Sequence, residues 1–159
     1  MIVVADTSPI NYLILTGHID VLPALFGEVL VPQSVADELQ HARTPRDVRS
    51  WVAQPPPWFI VRPAAQVEDP IRLGRGEAEA ICLALEVHAS ILLIDDRRGR
   101  REAIARGIPV AGTLNVLVAG AARGLLELPT AIRKLRTTNF HISNDVIAAA
   151  LKEDAERRK

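Results

Sequence analysis

The sequence predicts an α/β protein with three layers, α/β/α, in which helices cover both faces of a central, mainly parallel β-sheet. Short apolar segments rich in β-branched residues alternate along the chain with longer amphipathic segments. Strands that are joined through helices pair in parallel within one sheet. At 159 residues, the chain has the usual size of one domain. We therefore expect residues 1–159 to form a single domain, with C-terminal helices from about residue 129 to residue 157.

The chain opens with an apolar, β-branched run over residues 2–5, which predicts a buried strand. The hydroxyl residues Thr7 and Ser8, together with Pro9, indicate the start of a helix. Gly17 indicates where that helix ends. A strand followed directly by a helix is therefore the first unit of the predicted sheet.

The next segment repeats this order. Residues 29–31 form a second apolar run, and a helix is predicted from residues 32–34 onward. Another helix is predicted over about residues 45–53. The three prolines of residues 55–57 cannot continue a helix, so we expect a rigid connector there. A short or edge strand is predicted over residues 58–61.

The second half of the chain contains its most apolar strand, over residues 91–94. A helix over about residues 77–87 precedes this strand, and a basic helix that ends at Arg106 follows it. Gly107 then breaks the helical pattern. The remaining predicted elements are a short strand over residues 108–110 and helices over about residues 114–122, 129–136 and 144–157.

Composition excludes several classes of protein. The 19 basic and 19 acidic residues argue against a tight nonspecific nucleic-acid binder, but not against an enzyme whose catalytic acids offset its basic groups. The single cysteine, Cys82, cannot form an internal disulfide. The N-terminal residues lack the basic region of a secretion signal. No apolar run approaches the roughly 18 residues of a membrane span. We therefore expect a cytoplasmic protein with no membrane partner.

Acidic residues directly follow two of the predicted strands. Asp6 follows the first strand, and the doublet Asp95-Asp96 follows the strand over residues 91–94. Because the carboxyl ends of parallel strands meet at one edge of a sheet, we expect these side chains to lie together. Asp is also a frequent helix N-cap, which could explain Asp6 alone, but at most one residue of the doublet can be a cap.

Three further acids lie on predicted helices. Glu38 follows the second strand, and Glu77 and Glu79 begin the helix after Gly74-Arg75-Gly76. Each has a structural explanation when taken alone, as a solvated acid or as a complement to the helix dipole. Several carboxylates held together repel each other by on the order of 4 kcal/mol per close pair, so a cluster needs protons or a cation.

The residue types favour a hard cation in that cluster. Oxygen ligands select Mg²⁺ or Mn²⁺ over Zn²⁺, and the four histidines are scattered without the spacing of a zinc site. The glycines before Glu77 lack the Gly-Lys-Ser/Thr ending of a phosphate-binding loop. No Gly-x-Ser-x-Gly elbow for acyl transfer is present. Metal-assisted chemistry on a phosphate group is the interpretation that remains.

Five segments, in this order and spacing, resemble a PIN domain, most closely the VapC-like branch whose bacterial and archaeal members are described as predicted nucleic-acid-binding proteins. The segments are Ile-Val-Val-Ala-Asp6-Thr7-Ser8-Pro9, Val-Pro-Gln-Ser-Val-Ala-Asp-Glu38-Leu, Leu-Gly-Arg-Gly-Glu77-Ala-Glu79-Ala-Ile, Leu-Leu-Ile-Asp95-Asp96-Arg and Gly107-Ile-Pro-Val-Ala-Gly112-Thr113-Leu. The resemblance covers nearly the whole chain. It implies a ribonuclease that depends on Mg²⁺ or Mn²⁺ and uses a cluster of about four acids.

The resemblance also implies a role for each acid. Asp6 matches the first Asp of the family, and Glu38 matches its helix acid. Glu77 falls where many relatives carry Asp, and either Asp95 or Asp96 matches the last acid. The implied catalytic set is therefore Asp6, Glu38, Glu77, Asp95 and Asp96, with all but Glu38 as metal ligands.

Other residues are implied to support the reaction, which would be hydrolysis of a phosphodiester. Ser8 matches a small hydroxyl residue that often supports the metal site, and Glu79 and Thr113 are further supporting candidates. Glu38 would position the attacking water. Planar guanidinium groups suit bidentate contacts to phosphate, although an arginine-rich helix can also be merely solvated. The candidates for binding RNA directly follow the doublet and are Arg97, Arg98, Arg100 and Arg101.

The resemblance further implies a homodimer and an antitoxin that blocks the acidic cleft, as in a VapBC-type toxin–antitoxin pair. Two other functions fit part of the pattern. A PIN-like module that binds RNA or protein without cleavage is compatible with Glu77 in place of Asp and with zero net charge. A phosphoacceptor receiver domain also groups acids around Mg²⁺, but its acidic doublet normally follows the first strand.

Overall fold

The computed structural model describes residues 1–70 and 72–159. Within these residues, one five-stranded parallel sheet forms the centre of the molecule. Its strands are β1 (Val3–Ala5), β2 (Val29–Val31), β3 (Phe59–Val61), β4 (Ile91–Leu93) and β5 (Val110–Ala111). Their order across the sheet is β3-β2-β1-β4-β5, so β1 is the central strand.

Helices connect the strands and pack on both faces of the sheet. They are α1 (Thr7–Leu15), α2 (Val21–Phe26), α3 (Gln33–Leu39), α4 (Arg46–Ala53), α5 (Arg75–Glu86), α6 (Arg97–Ala105), α7 (Thr113–Ala122), α8 (Leu128–Arg136) and α9 (Asn144–Arg157). The predicted three-layer α/β/α arrangement with a parallel sheet is confirmed.

Two hydrophobic cores separate the layers. In β1, Val3 and Ala5 belong to the larger core, whereas Val4 belongs to the smaller core on the opposite face. This alternation follows from the two-residue period of a strand. All three residues are essentially inaccessible to solvent. A strand covered on both faces must be apolar throughout, which is why β1 contains no polar residue and the first acid, Asp6, comes directly after it.

The order of the strands brings the acidic segments together. β1 pairs with β4 in register from Val3 opposite Ile91 to Ala5 opposite Leu93. The backbone N–H of Asp6 continues this ladder by donating to the carbonyl of Leu93 at 2.9 Å. The two chains therefore leave the sheet side by side, one through Asp6 and the other through the acidic doublet, at the carboxyl edge where α/β sheets bind ligands.

Two elements differ from the prediction. The helix α2 was not predicted, because its six residues include Pro23 and its N-cap residue, Asp20, makes no capping hydrogen bond with its side chain. The predicted strand over residues 108–110 was wrong in position, since β5 is Val110–Ala111. The N–H of Ile108 instead donates to the carbonyl of Ala103 at the end of α6.

No helix in residues 1–70 and 72–159 has both the length and the apolar character that are needed to cross a bilayer.

The carboxylate of Glu79 joins three parts of the fold. Glu79 is 4% exposed on α5. It accepts hydrogen bonds from the N–H of Ser34 at 2.6 Å and from the N–H of Ala64 at 3.2 Å. The first of these groups lies at the start of α3 and the second lies beyond β3, so one buried side chain satisfies backbone donors on two neighbouring segments. If one of these hydrogen bonds were lost, a backbone N–H group would be left without a partner in the interior of the protein.

We predict that Glu79→Gln lowers the free energy of unfolding by about 1–3 kcal/mol, because an amide can accept only through its oxygen and presents N–H groups to the second donor. Urea unfolding followed by circular dichroism measures this change.

The matched control is Glu86→Gln on the same helix. Glu86 also accepts a backbone N–H of the same segment, that of Ala65 at 2.6 Å, but at an exposed position. We expect this variant to lose clearly less stability, since water can replace the missing bond. Equal losses for the two variants would contradict the role assigned to the buried carboxylate.

Candidate active site

Asp6 is the buried centre of the candidate site. It occupies the N-cap position of α1, yet its side chain makes no capping hydrogen bond. The side chain is 3% exposed, and Oδ1 has no hydrogen-bond partner among the described residues. The pKa of Asp6 is raised from 3.8 to about 8, chiefly by burial and also by the carboxylates of Glu77, Glu38 and Asp95, while the hydrogen bond to the backbone of Thr7 opposes the shift. Capping of a helix therefore does not explain why an acid is placed here.

Glu38 is exposed on α3 and is held by two neighbours. The hydroxyl of Thr7 donates a short hydrogen bond to its Oε2. The backbone of Gly76 approaches it from α5 so closely that a Cβ atom at this position would lie 2.8 Å from Oε2. Glycine is therefore required for the observed placement of the Glu38 carboxylate. Sequence analysis missed both Thr7 and Gly76 as site residues, although each stands directly beside a candidate acid.

Glu77 lies in the first turn of α5 and is half-buried. Its pKa is raised from 4.5 to about 7, chiefly by burial and also by the charges of Asp96, Glu38 and Asp69. Arg98 opposes them. Electrostatic coupling thus links Glu77 to acids from the segments after β2 and after β4.

Asp69, which the sequence did not mark as a candidate, stabilises the turn before α5. Its two carboxylate oxygens accept the N–H groups of Leu73 at 2.6 Å and of Gly74 at 3.1 Å. Nothing in the sequence distinguishes it from a surface acid of a polar loop. Its effect on the site is indirect, through the position and the pKa of Glu77.

The acidic doublet divides into two environments. Both oxygens of Asp95 accept hydrogen bonds from Thr113, one from its N–H at 2.7 Å and one from its hydroxyl at 2.6 Å. Burial raises the pKa of Asp95, while Thr113 and Arg100 oppose that shift. Asp96 instead is exposed and caps α6 by accepting the N–H of Gly99 at 2.8 Å.

The three supporting candidates differ in whether they contact an acid of the site. Thr113 binds Asp95 directly. Ser8 is half-buried in the first turn of α1, and the hydroxyl that contacts Glu38 is that of its neighbour, Thr7. Glu79 uses both of its oxygens to accept backbone N–H groups, as described above, which assigns it to the framework of the fold.

The four candidate arginines on α6 face in two directions. Arg98 acts on Glu77, whose pKa it lowers. Arg97, Arg100 and Arg101 line a cavity together with Asp95. The guanidinium of Arg100 donates to the carbonyl of Ile94 at 3.0 Å, which holds it beside the end of β4.

The donor chemistry of this site fits a hard divalent cation. All of the candidate metal ligands are carboxylates, and an unpartnered oxygen of Asp6 lies buried among acids that raise its pKa. In the described part of the chain, no three His, Cys, Asp or Glu side chains already stand as a ready metal-binding group. The chain thus supplies oxygen ligands of the right kind and an excess of negative charge, without a preformed three-ligand cage.

The buried acid makes stability depend on pH in a direction that can be tested. Because the pKa of Asp6 is about 8 in the folded protein and 3.8 ordinarily, the folded state holds a proton that the unfolded state releases between these values. We predict that, with EDTA present, the stability of the protein falls as the pH rises through this window. Each unit of pKa difference corresponds to about 1.4 kcal/mol. Urea unfolding at a series of pH values measures the slope.

Asp6→Asn should flatten this slope, since its amide does not titrate, and should be more stable than the native protein at the alkaline end. Asp20→Asn is the matched control, because Asp20 also occupies an N-cap position without a side-chain capping bond but is exposed. A native protein whose stability rises with pH across the same window would rule out the proposed burial of a protonated Asp6.

Known proteins resemble the chain in sequence family and in fold. The family model DUF3368, described as PIN domain, matches residues 2–156. Among solved structures, the chain is similar to a PilT N-terminus domain protein, SSO1118, from the hyperthermophilic archaeon Sulfolobus solfataricus P2. The identity is 16% and the TM-score is 0.55, over 90% of this chain and 100% of that chain, so the likeness supports the fold alone. No curated protein matches the chain significantly. Since the family model spans nearly the whole length, the chain belongs to the PIN domain family.

Proposed function

We propose that this protein is a ribonuclease that depends on Mg²⁺ or Mn²⁺ and hydrolyses phosphodiester bonds. PIN domains are generally metal-dependent nucleases. The observation that carries the proposal is the burial of Asp6 with an unpartnered oxygen, next to other acids that raise its pKa. Such a group is costly for folding and has no structural use in capping α1. Groups of this kind concentrate at functional sites.

Asp6, Glu77 and Asp95 would hold the cation, with Asp96 close enough to contribute its charge to Glu77. When bound, a divalent cation neutralises charge on a phosphate and lowers the pKa of a water molecule. The hydroxyl and N–H of Thr113 orient Asp95. Because these bonds occupy both oxygens of Asp95, its remaining lone pairs are the ones available to a cation.

Glu38 has the environment of a group that handles the attacking water. It is exposed, so water reaches it, while the Thr7 hydroxyl and the backbone of Gly76 fix its carboxylate. We propose that Glu38 orients this water and accepts its proton as the phosphodiester is attacked. A group placed in this way typically contributes a factor of roughly 10²–10⁴ to the rate.

The proposal goes beyond the family assignment in four respects. They are RNA as the substrate, an antitoxin as the partner, a VapBC-type toxin role and a homodimer. The basic face of α6 beside the acids supports a polyanionic substrate, since guanidinium groups bind phosphate well. The cytoplasmic location that the sequence indicates stays a prediction.

A second function is a PIN-like module that binds RNA or protein without cleavage. One observation favours it, namely that no ready three-ligand metal group exists among the residues that the structure describes. The longer side chain of Glu77, where many relatives carry Asp, is compatible with a weakened site. Activity measurements separate the two functions.

We predict that the purified protein cleaves RNA in the presence of Mn²⁺ or Mg²⁺ and that EDTA abolishes the cleavage. Glu38→Gln should lower the rate by roughly a hundredfold or more, because an amide cannot accept a proton. The assay is gel analysis of mixed labelled RNAs over time. Asp20→Asn serves as the control, since it removes an exposed acid remote from the site.

Cleavage that persists both in EDTA and in Glu38→Gln would point to a contaminating nuclease or to another mechanism. RNA binding without any cleavage by the native protein, under all metal conditions, would favour the second function instead.

Gly76→Ala tests the steric placement of Glu38. Alanine has a higher helix propensity than glycine. The atom that its Cβ would meet is the carboxylate end of the flexible Glu38 side chain, so we expect the stability of the protein to be kept or slightly raised. The rate should nevertheless fall by roughly tenfold or more, because the Glu38 carboxylate must move. The measurements are thermal unfolding and the initial rate of RNA cleavage.

A double-mutant cycle makes this test specific. If Gly76→Ala acts only through Glu38, it should have little further effect on the rate in the Glu38→Gln background. Independent, multiplying losses in the double variant would show that the glycine matters for another reason.

A further inference from the structure

A cavity of about 530 Å³ opens beside Asp95, between α6, α7 and residues 140–146, and Glu77 is not among the residues that line it. Its volume lies within the roughly 300–1,000 Å³ of sites for small organic ligands. One wall is basic and the other is mainly apolar. Of the residues that line the cavity, the proposed reaction uses Asp95 and, as general support for a polyanion, the basic face of α6; the apolar wall has no part in it.

The basic wall is one face of α6. Arg97, Arg101 and Ile104 follow the four- and three-residue spacing of a single helix face, so they point together into the cavity. Arg97 and Arg101 are exposed. Arg100, fixed by the carbonyl of Ile94, completes the wall next to Asp95. Three guanidinium groups over an open cavity are a site for an anion with several oxygen atoms.

The opposite wall offers apolar surface to the same occupant. It includes Leu114, Phe140, Ile142 and Val146. The Phe140 ring packs edge-on against Tyr12, with ring centroids 4.9 Å apart, and the Tyr12 hydroxyl donates to Asn139 at 2.7 Å. These contacts hold Phe140 in place. Val146 is 50% exposed and, across the cavity, Ile104 is 59% exposed, so a bound ligand would cover apolar surface that now faces water.

We infer that this cavity is a nucleotide pocket, in which a base lies on the apolar wall while its phosphate contacts the arginines. The inference rests on the proposed function for the nature of the ligand. The pocket shares Asp95 and Arg100 with the acidic site, so it would hold the nucleotide next to the phosphodiester that is cleaved. A base can enter it only after leaving its stack, which confines binding to unpaired nucleotides.

The combination of walls distinguishes a nucleotide from other occupants. Phosphate alone would need only the arginines, and an apolar peptide would need only the opposite wall. A nucleotide, which has an anionic phosphate and a flat base that can stack on apolar side chains, would use both walls. The direct continuity with the acids places that unit beside a phosphodiester substrate.

The experiment measures binding of a short fluorescein-labelled single-stranded oligoribonucleotide by anisotropy, in EDTA, over a range of NaCl concentrations. Phe140→Leu should weaken binding by roughly tenfold with an unchanged salt dependence, because it removes stacking. Arg101→Gln should reduce the slope of log affinity against log salt by roughly 0.7, because it removes one phosphate contact.

Matched controls come from the same chain. Phe26→Leu alters another partly buried phenylalanine of the same core, away from the cavity, and Arg133→Gln alters another exposed arginine, on α8. Val146→Ser repeats the test of the apolar wall without disturbing the Tyr12 contact and should also weaken binding.

The inference is overturned if Phe140→Leu, Val146→Ser and Arg101→Gln all bind the oligonucleotide as their controls do. Cleavage assays on the same variants separate this result from failure of the proposed function. A protein that cleaves RNA while the pocket variants behave normally keeps the function and loses the pocket. A protein that never cleaves, but whose binding responds as expected, keeps the pocket and loses the function.

Discussion

The burial of one carboxylate at the end of the central strand is the constraint on which the rest of this structure depends. Asp6 leaves β1 while still hydrogen-bonded through its backbone to Leu93 of β4, and its side chain is almost fully buried. Burial raises the pKa of Asp6 far above its ordinary value. The site must therefore carry a proton or a cation at neutral pH, and the three neighbouring acids make a cation the more effective of the two.

The partner of each acid decides what that acid can do. Glu79 is as deeply buried as Asp6, but backbone N–H groups occupy both of its oxygens, so it acts within the framework. Asp95 is held by a threonine and keeps lone pairs for another ligand. Asp154 is equally buried and also has an oxygen without a hydrogen bond, but its carboxylate forms ion pairs with Arg157 and Arg158. Among the described residues, Asp6 combines deep burial and an unpartnered oxygen with the absence of any such ion pair. Burial alone would not have separated the functional acid from the structural one.

Much of the fold could be predicted from the sequence, because its signals are local and strong. The apolar run that ends at Asp6 and the run that ends at the acidic doublet are covered on both faces, and such strands are recognisable from composition. The helix α2 lacks any comparable signal. The start of β5 could not be predicted either, since it depends on how the end of α6 hydrogen-bonds to Ile108.

The candidate site was predictable only as a set of acids and not as a set of roles. The sequence allowed one residue of the doublet to be a cap, but the choice between Asp95 and Asp96 depends on Thr113, which is 18 residues farther along the chain. The structural role of Glu79 likewise depends on Ser34, 45 residues away. Neither pairing leaves a local mark, because contacts between distant segments are decided by the packing of the sheet.

Helix α6 shows how one local decision organises both halves of the proposed site. Asp96 caps this helix by accepting a hydrogen bond from the N–H of Gly99, and Gly99 and Ala103 form its buried face. A side chain at Gly99 would require the buried Ile94 to move, since a Cβ atom there would lie 2.6 Å from Ile94 Cδ1. With this face buried, Arg98 acts on Glu77, while Arg97 and Arg101 line the cavity beside Asp95. In the proposed function, neighbouring residues on different faces of one helix would therefore have two different roles: Arg98 would moderate the acids, and Arg97 and Arg101 would bind a polyanion.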